Sequence, residues 1–181
     1  MSRVRLLLDA YERRVQLPWQ QGLSGREKVW FCIYEPRDER RLRMHLPEFE
    51  RVTRKAGRQW GSAFDLATKF EAWLASQEYK ESYFEEPELL GPALDDFRNQ
   101  TVTELRVLLS SADEDSVTPV IGVGSLFGIS SVSKLIEQVT ESIRGRLLVF
   151  FPGSRDESNY RLLDARDGWN YLAVPIEAEE G

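Results

Sequence analysis

Two apolar runs constrain this chain more than anything else in it: Val29-Trp30-Phe31-Cys32-Ile33-Tyr34 and Leu147-Leu148-Val149-Phe150-Phe151. Neither alternates apolar with polar residues, so a strand made from either must be covered on both faces. Both are too short for a stable helix and rich in β-formers, and Pro36 and Pro152-Gly153 bound them. Strands of this kind belong at the centre of a parallel sheet with helices above and below. The segments between them carry the helical spacing this requires.

Residues 2–16 place Val4, Leu7, Leu8, Tyr11 and Val15 on one helical face. Asp38 is an N-cap candidate for a helix carrying Leu42, Leu46, Phe49 and Val52, with a kink or break expected at Pro47 and a stop at Gly57. Residues 60–66 read as a weaker strand, 68–76 as a helix, and 78–92 as an exposed loop or broken helix with two prolines. A helix follows from Pro92 to about Leu109, then an acidic surface loop over 110–116. Val120–Val123 reads as a strand and 124–128 as a turn. A helix capped by Ser130 or Ser131 carries Val132, Leu135, Ile136, Val139 and Ile143 up to Gly145. After the strand at 146–151, residues 154–159 read as a loop. Strands are expected at 160–163 and 169–174 around an Asp167-Gly168 turn, followed by an acidic tail from Glu177. The fold class is therefore α/β: one domain over residues 1–181, with a mostly parallel central sheet and helices on both faces. In outline it is a degenerate RecA-like or Rossmann-like three-layer sandwich.

No apolar run approaches the roughly 20 residues that cross a bilayer, and Leu6-Leu7-Leu8 is too short for a secretory signal. With one cysteine, Cys32, no internal disulfide forms, and a cytoplasmic home is the expectation. The net charge of −6 argues against binding polyanions through bulk electrostatics. The charge is uneven, however. Residues 37–58 hold eight basic side chains against four acidic ones, and residues 78–96 hold seven acids against Lys80 alone. Such segments suit two solvated helix faces, a protein docking surface or, through residues 37–58, weak contact with nucleic acid.

Tests for chemistry return little. Gly122-Val123-Gly124-Ser125-Leu126-Phe127-Gly128 stands between a strand and a helix, where helix N–H groups can hold a phosphate. Its spacing is neither the dinucleotide fingerprint nor a Walker A loop, and Leu126 and Phe127 occupy the place of phosphate oxygens. Gly122, Gly124, Ser125 and Gly128 are weak nucleotide-binding candidates; a tight packing turn is the favoured alternative. Ser125 lacks the glycine at 127 that a nucleophile elbow needs. With His45 and Cys32 as the lone histidine and cysteine, neither a structural zinc set nor a serine triad is expected. No catalytic residue, metal ligand or cofactor is assigned. Two groups remain as partner-binding candidates. Tyr79, Tyr83 and Phe84 sit among acids. Arg155, Asn159 and Arg161 follow the carboxyl end of a parallel strand, where open α/β sheets place ligands. A salt-bridged hairpin closing the sheet edge is the alternative for the second group.

Residues 122–176, and within them GVGSLFG, RLLVFFPG and NYRLLDARDGWNYLAVP, resemble the BrxB family of bacteriophage-exclusion (BREX) defence systems. LLDAYERRVQLPW (7–19), VWFCIYEPRDERRLR (29–43) and KESYFEEPE (80–88) are similar to the same family, so the likeness spans nearly the whole chain. It implies a non-catalytic interaction component with other BREX proteins as partners. The alkaline-phosphatase-like PglZ protein comes first and the methyltransferase subunit next, with DNA engaged only indirectly. It carries no catalytic residues to transfer.

Overall fold

The computed structural model describes residues 1–127, 129–163 and 169–179, with only the backbone of Trp169 and Asn170. The expected Asp167-Gly168 turn and Gly128 lie outside the described residues. Helix α1 (Arg3–Gln16) leads into strand β1 (Val29–Tyr34), and helix α2 (Glu39–Lys55) follows. Two short strands, β2 (Gln59–Trp60) and β3 (Phe64–Asp65), precede α3 (Leu66–Ser76), α4 (Lys80–Glu85) and α5 (Leu90–Ser111). Then come β4 (Ser116–Ile121), α6 (Val132–Glu137), β5 (Arg146–Asp156), β6 (Asn159–Leu162), β7 (Trp169–Asn170) and β8 (Val174–Glu177).

The sheet runs β2-β4-β5-β1-β8, with β3 also on β4. The β1·β5, β1·β8, β2·β4, β3·β4 and β4·β5 ladders are parallel. Among the described residues, only the β5·β6 and β6·β7 pairs are antiparallel. β1 shows why its sequence has no polar face. Val29, Phe31 and Ile33 enter one core with α3, α5, α6 and residues of the β6 region, while Trp30, Cys32 and Tyr34 enter the other with α1 and α2. Leu147, Val149 and Phe151 of β5 join the first core, and Leu148 and Phe150 the second. Phe31 stacks on Phe151 and Tyr171 at 5.4 and 5.7 Å and meets Tyr160 edge-on at 4.7 Å. Each such ring contributes roughly 2 kcal/mol by burial.

Several expectations need correction. α2 runs unbroken through Pro47, which lies on its exposed side, and forgoes the one N–H that proline cannot supply. Asp38 occupies the cap position of α2 but makes no capping bond; its carboxylate meets Arg41 instead, at 3.3 Å. β4 begins at Ser116 rather than Val120 and contains Pro119. Strand alternation puts Pro119 on the same side as Val117, whose carbonyl accepts from Gly61 N. That side faces the gap between β2 and β3, so the missing N–H leaves no rung empty. β5 does not stop at Pro152-Gly153. It leaves β1 there and pairs with β6 from Gly153 to Asp156, so 154–159 is a hairpin rather than a loop. α6 ends at Glu137, and a separate short turn over Thr140–Ser142 buries Val139 and Ile143.

Candidate functional site

Chain exits decide where a ligand crevice forms in such a sheet. β1 passes into α2 on one face, while the chain beyond β5 packs its Tyr160 and Leu162 on the other. The two strands are neighbours, so their carboxyl ends diverge and leave a crevice at the switch point. A cleft of about 500 Å³ lies there, bounded by Tyr34, Glu35, Asp38, Gly153, Arg155 and Glu177, with Arg3 from the start of α1.

The charges in this cleft answer one another. Arg3 meets Glu35 at 3.0 Å, and Arg155 meets Glu177 at 2.6 Å. Glu177 holds the Arg155 guanidinium above its usual pKa. Beside the cleft a polar chain ties the strand ends together. Tyr34 donates a short hydrogen bond to Glu39, Arg43 donates to Glu39 at 2.7 Å and to Asp65 at 2.8 Å, and Asp65 caps α3 by accepting from Ala67 N at 3.1 Å. Burial, then Glu39, pushes the Tyr34 phenol up, so it stays a donor. Burial alone would raise Asp65; Arg43, the Ala67 N–H and the Thr68 hydroxyl outweigh it and hold the carboxyl below its usual value. These contacts lock β1, α2, β3 and α3 in register.

The glycine turn packs against that chain. Gly122 adopts φ +74°, and a Cβ there would lie 2.4 Å from Asp65 Oδ1 and 2.6 Å from Ala67 N. Its lack of a side chain is therefore required by a carboxylate and a helix start. Ser125 Oγ donates to Gly122 O at 2.7 Å, and Val123 and Leu126 are buried. Gly124 lies in the short Val123–Leu126 turn, while α6 starts only at Val132, capped by Ser131.

The partner candidates fall on two elements. Arg155 and Asn159–Arg161 belong to the β5–β6 hairpin, where Arg155 pairs across to Tyr160 and Ser154 to Arg161. Alternation puts Arg155 and Arg161 on opposite faces, with Asn159 on the side of Arg161, so the three do not converge. Arg155 fastens the hairpin to β8. Tyr79, Tyr83 and Phe84 lie on or beside α4, a helix with no buried residue. Tyr79 is 63% exposed, Phe84 70% and the nearby Leu89 47%, while Tyr83 is half-buried. Tyr83 N donates to Tyr79 O, so these two share one helical face.

The basic segment is largely neutralised. Arg37, Arg41, Arg43, Arg54 and Lys55 each meet a carboxylate. His45 Nδ1 lies 2.8 Å from Arg41 O, and Cys32 is fully buried, its thiol pushed up by desolvation. Among the described residues no helix is long and apolar enough to cross a membrane, and no group of three or more His, Cys, Asp or Glu side chains is placed to hold a metal ion.

Sequence reasoning did not foresee the Tyr34–Glu39–Arg43–Asp65 chain, because its members sit on three elements and no motif joins them. It also missed Trp19, Arg58 and Arg146, which meet from three distant segments; the one hint was a basic residue, Arg146, heading an otherwise apolar strand. No protein-family model, curated protein or solved structure matches the chain.

Proposed function

We propose that the protein is a non-catalytic interaction subunit of a BREX phage-exclusion system, working in the cytoplasm by presenting the 78–90 segment to another subunit. One observation carries the docking role: α4 buries none of its residues, and Tyr79 just before it, Phe84 on it and Leu89 in the turn after it are left in water. Aromatic side chains exposed along a segment that buries nothing of its own are anchors for a partner. Glu78, Glu81, Glu85, Glu86 and Glu88 surround them, so the matching surface is basic, and opposite charge speeds and orients the encounter. The BREX assignment rests on the resemblance of 122–176 and of the amino-terminal segments to BrxB proteins. PglZ is the first partner it names and the methyltransferase subunit the second, with DNA reached through them.

The test is co-purification of the tagged chain from a host carrying the whole BREX operon. The wild type retains PglZ or another BREX subunit. The Tyr79→Ala/Phe84→Ala double variant, with an unchanged melting temperature, loses at least about 90% of it, as removal of two aromatic anchors at roughly 2 kcal/mol each predicts. Equal retention by a folded double variant rejects the surface, and recovery of no BREX subunit by the wild type rejects the assignment.

A further inference from the structure

At the opposite edge of the sheet, where β1, β2, β4 and β5 begin, a second pocket of about 610 Å³ opens beside the Pro18–Gly22 loop. Its walls carry four cations, Lys28, Arg58, Arg144 and Arg146, against two acids, Glu114 and Asp115. Arg146 is only 5% exposed and, among the described residues, donates to the Gly145 and Gln20 carbonyls alone, at 3.0 and 3.3 Å. Arg58 keeps a buried Nε with no partner, and so does the indole Nε1 of Trp19. The Arg58 and Arg146 guanidinium carbons lie 4.1 and 4.6 Å from the Trp19 ring centroid. Lys28 Nζ donates to the Ile143 carbonyl at 3.0 Å.

Neither acid meets Lys28, Arg58 or Arg146. Asp115 accepts from Gln59 Nε2 at 3.0 Å, and Glu114, itself exposed, meets Arg144 at 3.9 Å. Lys28, Arg58 and Arg146 thus have no ion-pair partner among the described residues, whereas Arg43, Arg98 and Arg155, also partly buried, each meet a carboxylate. Burying a guanidinium beside another cation costs both desolvation and repulsion, and arginine does not escape by losing its proton. Desolvation, then Arg58, draws the Arg146 pKa below its ordinary value. Two carbonyls and an indole ring offset part of this cost; an anion would offset the rest.

We propose that this pocket binds a phosphate group, carried by inorganic phosphate or by a small phosphate ester, with Arg58, Arg146 and Lys28 as its cationic ligands and the Trp19 N–H as a further donor. Guanidinium forks match phosphate oxygens in pairs, and the unpartnered Arg58 Nε–H is free to donate. A phosphate alone leaves most of 610 Å³ empty, so an ester of mononucleotide size fits as well. The site is separate from the α4 surface and does not depend on it.

Calorimetric titration of the full chain tests it, with inorganic phosphate, AMP and ATP as ligands, adenosine as the uncharged control, and chloride holding the ionic strength constant. The expected result is binding by at least one phosphate ligand at millimolar or lower concentration, none by adenosine, and at least about tenfold weaker binding in Arg58→Gln. Lys28→Gln gives a second reading where Arg58→Gln does not fold, and Arg40→Gln, on the exposed side of α2, leaves affinity unchanged. Equal binding of phosphate and AMP identifies the free anion as sufficient; a tenfold preference for AMP or ATP identifies an ester. Absence of heat from all three phosphate ligands, or undiminished affinity in the folded pocket variants, overturns the proposal.

Discussion

Tyr11 and Thr53 join α1 to α2 inside the second core through a single hydroxyl pair. Thr53 Oγ1 donates to the Phe49 carbonyl at 2.7 Å and lies 2.6 Å from Tyr11 Oη, so it accepts from the phenol. Both residues are fully buried, and desolvation pushes the phenol up. The two ends of the bond are unequal. Tyr11→Phe leaves Thr53 still bonded to Phe49 and should cost about 1 kcal/mol, whereas Thr53→Val strands a buried phenol and should cost about 2–3 kcal/mol. Adding Tyr11→Phe to Thr53→Val should restore part of the loss, a sign that denaturant unfolding of the three variants reads directly. Asp65 gives a pH-dependent counterpart. Its carboxyl is held below the unfolded value of about 3.9, so its contribution is complete above that pH and lost as pH falls through the folded value. Asp65→Asn should therefore cost about 1–2 kcal/mol at pH 7, discounted for the partly exposed Arg43, and the difference from wild type should shrink in melts taken below about pH 4.

At the scale of elements, Gly122 joins the end of β4 to the start of α3 by having no side chain. Gly122→Ala meets both a positive φ and a 2.4 Å approach to Asp65, and should lower stability by more than about 2 kcal/mol in thermal melts. The glycine was visible in the sequence, but its reason was not, since Asp65 lies on a two-residue strand with no periodicity to announce it. The same distinction separates the elements that were legible from those that were not. β1 and β5 were legible because burial on two faces leaves a run with no polar position. α1 was legible because one face of it is buried. β2 and β3 are too short to show alternation, and the 60–66 expectation merged them. Pro119 hid the first half of β4, because a proline excludes a central strand unless the neighbouring edge has a gap, and that gap is a property of the sheet. Pro152 similarly hid the point at which β5 exchanges β1 for β6.

Across the whole molecule, charge placement separates two kinds of surface. The arginines of α2 look basic in the sequence, yet five of the eight basic residues between 37 and 58 meet carboxylates, from α1, β3 and α2 itself among other places. Net charge along the segment did not reveal this, because three of the neutralising acids, Glu12, Glu35 and Asp65, lie outside it. The exposed aromatics of 78–90 were legible, since a tyrosine–phenylalanine cluster among glutamates has no apolar stripe to bury. The cationic pocket at the amino-terminal edge was not legible, because Trp19, Arg58 and Arg146 meet only after folding. Amide hydrogen exchange of the chain with and without purified PglZ tests the proposed docking through α4. Amides of residues 79–90 should exchange within seconds in the free chain and slow at least about tenfold on binding, while those of β1 stay unchanged. Protection confined to the β5–β6 hairpin or to α2, with 79–90 still exchanging freely in the complex, would contradict it.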